Sequence, residues 1–198
     1  MRWYSANAPD QKSVCGEFTE WLEKQAPNSK PVILIRSYEE TLRRRKIPDV
    51  EVKRQMGIVS HSVFTRRKGV ELLWDKVYAG NDPIFIQSPS AVVMSAIEGR
   101  KPGKALDIGM GQGRNSVYLA SQGWDVTGFD PSSKAVRIAR SNAEKAGAKI
   151  RALVTRDDEY RYGENEWDLI VITYVRDLTE ADAELFWQAL RPRGVCRL

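Results

Sequence analysis

The stretch Asp107-Ile-Gly-Met-Gly-Gln-Gly sets one carboxylate and three glycines, Gly109, Gly111 and Gly113, at alternate positions directly after a short apolar run. Glycine gives the backbone freedom to turn tightly and lets a ligand come close to the main chain. A helix that starts just after such a turn offers unpaired N–H groups. Carboxylates accept hydrogen bonds from hydroxyls and amines and attract cations. Two more acidic positions follow further apolar runs: Asp130 after "WDVTGF", and Asp157 or Asp158 after "AKIRALV". A carboxylate at Asp107 is well placed to face a cationic amino group, whereas it would repel a pyrophosphate. The dinucleotide fingerprint needs glycine at its first, third and sixth positions. Counted from Gly109, the sixth is Arg114, too large for close packing of helix on strand. Singly, each acid could merely cap a helix and each glycine merely serve a turn. Asp107, the three glycines and Asp130 point to a ligand because they occur as a set, and within the pair Asp157–Asp158 either residue could serve.

The elements that must hold these residues alternate. "KALDIG" predicts a strand, "RNSVYLASQG" a helix, "WDVTGFD" a strand and "SSKAVRIARSNAEKAG" a helix. "AKIRALV" and "EWDLIVITYV" predict strands, "TEADAELFWQAL" a helix capped by Thr179, and "GVCRL" the start of one more strand. Such alternation implies right-handed crossovers and a parallel sheet. Ligands of such sheets sit beyond the carboxyl ends of the strands, where strand order reverses. Upstream, Val70, Leu73, Trp74, Val77 and Tyr78 recur at helical spacing, and "SAVVMSAIEG" predicts a short helix between Ser90 and Gly99. Residues 1–67 predict a small α+β extension of unclear role. In it "GEFTEWLEKQA" and "YEETLRRRK" are helical, while "PVILIRS" and "GIVSHSVFT" are strands. The domain division expected is 1–67 and 68–198.

Composition narrows the function. The chain has 198 residues, 42% of them hydrophobic, enough for a packed core. No run suits a bilayer span, and "MRWYSANAPDQ" has no apolar leader, so a cytoplasmic protein without membrane attachment is expected. Cys15 and Cys196 show neither metal spacing nor a disulfide framework, and no metal is expected. The net charge of +5 gathers in "RRRK" (43–46) and "RRK" (66–68), which are best taken as solvated faces. No aromatic-interleaved basic patch favours nucleic acid.

On "LDIGMGQGR", "VTGFDPS" and "WDLIVITYV", in that order, the region from about residue 70 to 198 resembles the class I S-adenosylmethionine-dependent methyltransferases. It is most similar to their small-molecule branch, the tellurite-resistance and thiopurine types. The resemblance implies a three-layer Rossmann-like α/β fold and S-adenosyl-L-methionine as cofactor. Asp107, Gly109, Gly111 and Gly113 would cradle its methionine part, Asp130 its ribose hydroxyls, and Asp157 or Asp158 its adenine amine. It places the acceptor pocket at "ITYV", with Tyr174 as a lining candidate, and a lid near Trp74 and Tyr78, which core packing explains equally well. The cofactor carries an already activated methyl group, so the protein needs mainly to align two reactants and exclude water. No general base stands out: the one histidine, His61, lies outside the matched region. Methyl transfer to a small molecule is the expected activity. Methylation of RNA ribose or ring nitrogen, or a non-catalytic cofactor-binding or interaction module, are the alternatives. "TYVR" stands where exocyclic-amine methyltransferases carry Asn/Asp-Pro-Pro-aromatic, and no cysteine is near. The family sheet has seven strands, whereas this chain stops at the fifth, apparently lacking the last two. Either the chain is shortened, or "PVILIRS" and "GIVSHSVFT" supply the missing edge. An uncovered edge would invite pairing with a second copy.

Overall fold

The computed structural model describes residues 9–27, 29–65, 67–80, 85–173 and 178–197. The chain divides into two compact units, Met1–Ile84 and Phe85–Leu198. The described part of the first unit is helical throughout: α1 (Gln11–Glu23), α2 (Pro31–Arg44), α3 (Asp49–Thr65) and α4 (Arg67–Val77). Both strands expected there are corrected. "PVILIRS" opens α2, with Pro31 in the first turn, where its missing N–H costs nothing. Leu34, Tyr38 and Leu42 line the buried stripe of α2. "GIVSHSVFT" is the second half of α3, where Val52, Gln55, Val59, Ser62 and Val63 are buried at helical spacing. In both segments a local β-branched preference is overridden by a longer amphipathic period that tertiary packing can use. The described residues of this unit therefore contribute no strand to any sheet edge.

Asp10 caps α1 by accepting from the Ser13 N–H at 2.7 Å. Tyr38 sits against Phe18 and Trp21, at ring separations of 4.9 and 5.1 Å. Helix α4, which the sequence joined to the α/β region from residue 68, packs on α1 and α3 inside the helical unit. Trp74 and Tyr78 stack at 6.1 Å there, and His61 is exposed on α3.

The second unit holds α5 (Ala91–Ile97), β1 (Lys104–Ile108), α6 (Arg114–Ser121), β2 (Asp125–Asp130), α7 (Ser133–Lys145), β3 (Ile150–Val154), β4 (Trp167–Ile172), α8 (Glu180–Ala189) and β5 (Leu190–Arg197). Every element predicted from residue 90 onward is present. The strands form one parallel sheet of order β3-β2-β1-β4-β5. Residues of β1 alternate between two cores. Ala105 meets Leu119 of α6 and Val93 of α5. Leu106 and Ile108 face the opposite side, with Phe129, Phe186 of α8 and the aromatic rings of Tyr162 and Trp167. Helices thus cover both faces, and the central strands β1 and β4 are buried along almost their whole length, which calls for near-continuous apolar sequence.

The β3–β4 connection contains no helix. In its place Tyr160 stacks on Phe129 at 4.6 Å, and Tyr162 meets Phe186 edge-on at 5.4 Å. At the amino ends of the strands, Asp168 accepts from the Lys104 N–H and from Arg191, both at 2.8 Å, so one carboxylate joins β1, β4 and β5.

Candidate functional site

Strand order reverses between β1 and β4, so the crevice beyond their carboxyl ends is where this architecture binds ligands. The glycine segment lies at that point. Gly109, Gly111 and Gly113 have φ of 64°, 54° and 79°, in the left-handed region that side chains resist. All three glycines are therefore demanded by the path of the backbone. Gly113 is also the N-cap of α6, and a Cβ there would lie 2.9 Å from the Cβ of Ala139 on α7. Close packing of helix on helix is thus done by the third glycine, and Arg114 is free to begin α6. The elbow is locked on both sides. The Met110 N–H donates to the Phe129 carbonyl at 2.9 Å, and the Asn142 amide donates to the Gln112 carbonyl at 3.0 Å.

Asp130 ends β2 beside this elbow and is buried. Its Oδ2 accepts from the Gly111 N–H at 3.0 Å and its Oδ1 from the Ser132 N–H at 2.9 Å. Asp130 therefore fixes the elbow to β2 and to the start of the β2–α7 turn. Ser132 in turn caps α7 by accepting from the Ala135 N–H at 3.1 Å.

Asp107 lies beneath the elbow, 1% exposed. Ser116 Oγ donates to its Oδ2 at 2.6 Å. Its Oδ1 is buried without a hydrogen-bond partner. Burial pushes the Asp107 carboxyl up to about 6, against the hydrogen bonding from Ser116 and the positive charge of Arg114. The room for this arrangement comes from Gly128 on β2. A Cβ there would come within 2.5 Å of Met110 Sδ and 2.9 Å of Ser116 Oγ.

The third acidic position resolves into two different residues. Asp158 is bound by Arg156, with Nε on Oδ1 at 2.8 Å and Nη2 on Oδ2 at 2.5 Å. Arg156 is itself 9% exposed. The Asp157 carbonyl accepts from the Tyr162 hydroxyl at 3.2 Å, which anchors this turn to the aromatic cluster. Tyr174, the acceptor-pocket candidate, lies outside the described residues.

The site also contains residues that the motif did not flag. Asn115 is 2% exposed and accepts on Oδ1 from the Ser90 N–H at 2.9 Å. Its Nδ2 donates to Thr173 Oγ1, just past β4, at 3.2 Å. Asn115 and Ser116 share the buried face of α6 with Leu119. Polar residues at core positions of an amphipathic helix were the available signal. For Ser132 the signal was a serine standing as N-cap before an apolar-periodic run.

A five-stranded parallel sheet of this order, covered by helices and carrying a glycine elbow with acids at the ends of β1 and β2, defines a Rossmann-like fold of the methyltransferase type. Residues 105–194 match the family described as a methyltransferase domain. A probable S-adenosyl-L-methionine-dependent methyltransferase, TehB of Haemophilus influenzae (strain 10810), is 36% identical over 157 residues, 68% of this chain and 54% of that protein. Ribosomal RNA small subunit methyltransferase C of Alcanivorax borkumensis is 40% identical over 67 residues, 32% of this chain and 21% of that one. Among solved structures, one titled "Conversion of a Disulfide Bond into a Thioacetal Group during Echinomycin Biosynthesis" superposes with a TM-score of 0.55 at 28% identity, covering 64% of this chain and 58% of that one. The α/β unit belongs to the class I S-adenosylmethionine-dependent methyltransferases, as its sequence motifs implied. The chain spans about half of the TehB relative and about a fifth of the ribosomal RNA methyltransferase. No helix among the described residues is long and apolar enough to cross a membrane.

Proposed function

We propose that the α/β unit binds S-adenosyl-L-methionine at the elbow and transfers its methyl group to a small-molecule acceptor. The observation that carries this reading is the buried, unpartnered Oδ1 of Asp107 under a main chain held in left-handed conformations by three glycines. An anion such as pyrophosphate would face this acid at a Coulombic cost, whereas a cationic amino acid end would be attracted to it. The residues present fit such a cofactor. Asp107 and Gly109, Gly111 and Gly113 would hold its methionine part, Asp130 its ribose hydroxyls, and Asp157 its adenine amine. Asp158 is the weaker candidate because Arg156 engages both of its oxygens in a charged pair with which a neutral amine would have to compete.

The cofactor supplies an activated methyl group on a sulfonium. The protein's part is to fix its position and keep water away. Asp130 does this by holding both the elbow and the start of the β2–α7 turn. Asp107 does it by presenting a charge whose burial cost is relieved when a cation sits near it. The reading assigns no general base, and His61 on α3 is given no part in it.

A small-molecule acceptor is favoured because the structure titled for echinomycin biosynthesis is among those matched over most of the chain. The ribosomal RNA relative shares only a short stretch. Self-association through β5 is not part of the proposal. Arg191, Arg193 and Arg197 lie on that strand, and like charges brought together across a strand pair are destabilising. The test is a methyl-release screen with labelled cofactor over thiols, phenols, metalloid oxyanions and RNA. Turnover on a small acceptor supports the reading. Turnover on RNA alone would replace it, and cofactor binding without turnover on any acceptor would favour a non-catalytic module.

A further inference from the structure

Residues 85–90 enter the α/β unit across the elbow and are tied to it by its own side chains. Gln87 Nε2 donates to Gln112 Oε1 at 2.8 Å and to the Phe85 carbonyl at 2.8 Å. Arg114 Nη1 reaches the Ser88 carbonyl at 3.3 Å. Asn115 accepts from the Ser90 N–H, at the N-cap of α5, and donates to Thr173 at the end of β4. The Gln87–Gln112 and Arg114–Ser88 bonds are open to solvent, where such bonds contribute little. The Asn115 pair is the part of this latch that is shielded from solvent.

From this geometry we infer that Asn115 is a positioning residue, whose amide locks the 85–90 strap and the β4 end together across the mouth of the β1/β4 crevice. This rests on the cofactor site proposed above. Asn115 is suited to the role because one planar amide offers an acceptor on one side and donors on the other. It can therefore bond a backbone N–H and a hydroxyl at once. A buried amide that loses either partner carries an unsatisfied group, so the two contacts stand or fall as a unit. Phe85 and Ile86, 38% and 67% exposed, lie on the strap.

The experiment compares full-length wild type, Asn115→Ala, Thr173→Val and Thr173→Ser. Amide hydrogen exchange at Ser90 and binding of S-adenosylhomocysteine by calorimetry are the two readouts, with circular dichroism to confirm folding. Asn115→Ala is expected to speed Ser90 exchange by about tenfold or more, the scale of one lost hydrogen bond. Thr173→Val should weaken cofactor affinity by about tenfold, and Thr173→Ser, which restores the hydroxyl, should return it to the wild-type value. A merely structural role would lower thermal stability and speed Ser90 exchange in Asn115→Ala while leaving cofactor affinity unmoved in Thr173→Val, and that result overturns the inference. Wild-type protein that fails to bind S-adenosylhomocysteine would sink the cofactor reading instead. Ser90 exchange unaltered in folded Asn115→Ala would sink the latch whatever the cofactor does.

Discussion

Replacing Asp107 by Asn should make the fold more stable and the site worse. In the unfolded chain this carboxyl titrates near 3.8, and in the folded protein burial pushes it up to about 6. The folded state therefore binds more protons between those values. The group's contribution to stability is fully present below pH 3.8 and is lost as pH rises through 6. The gap corresponds to about 3 kcal/mol of folding free energy spent on burying the ionised form. Asn at 107 carries no such charge and still offers Ser116 an acceptor. Its amide N–H2 replaces an oxygen that had no partner, so about 1–2 kcal/mol of the gain is offset by an unsatisfied donor. The variant is therefore expected to be more stable than wild type by about 1–2 kcal/mol at pH 7.5. That advantage shrinks and then reverses as pH falls toward 4. Urea denaturation from pH 4 to 8, followed by far-UV circular dichroism and tryptophan fluorescence, gives the difference at each pH. A difference constant across the range would refute the burial argument. The same variant should bind S-adenosylhomocysteine at least about tenfold more weakly, because a charge-assisted contact is removed. A stability gain coupled to a binding loss marks an acid kept for its function.

Gly113→Ala combines a left-handed φ with a Cβ 2.9 Å from Ala139 and should cost about 2–4 kcal/mol of stability, read as a lowered urea midpoint; a change under about 0.5 kcal/mol would show that the elbow relaxes freely. Asp157→Ala should weaken S-adenosylhomocysteine binding by about tenfold or more, while Asp158→Ala, which removes only the partner of Arg156 on that turn, should leave affinity within about threefold; the reverse ranking by calorimetry would exchange the two roles. Asp130→Ala should lose cofactor binding and also about 1–3 kcal/mol of stability, because the Gly111 and Ser132 N–H groups both lose their acceptor; an unaltered melting curve would show that the backbone finds other partners.

The α/β unit was legible because its strands and helices alternate and three of its helices stop at a glycine. Gly99, Gly123 and Gly147 all take positive φ just past a helix, as such stops require. The helical unit was misread where a short window was given too much weight. "PVILIRS" is β-branched and apolar over a few residues, and only the longer spacing of Leu34, Tyr38 and Leu42 shows its helical stripe. The glycines and the strand-end acids were legible because their spacing is local. What each acid does was not, since that depends on partners distant in sequence. Asp130 turned out to hold the backbone of Gly111 and Ser132. The choice between Asp157 and Asp158 depends on where the Arg156 side chain goes, which no spacing records. Ser116 and Asn115 were passed over because polar residues in a first helical turn are usually solvated, and here both are buried.

The central claim is that the elbow and its acids accept a cationic sulfur nucleoside and reject a dinucleotide. Calorimetric titration of the full chain with S-adenosylhomocysteine and, separately, with NAD tests this most directly. The account predicts saturable one-to-one binding of the former and none of the latter. Binding of NAD, or of neither ligand by folded protein, would contradict it.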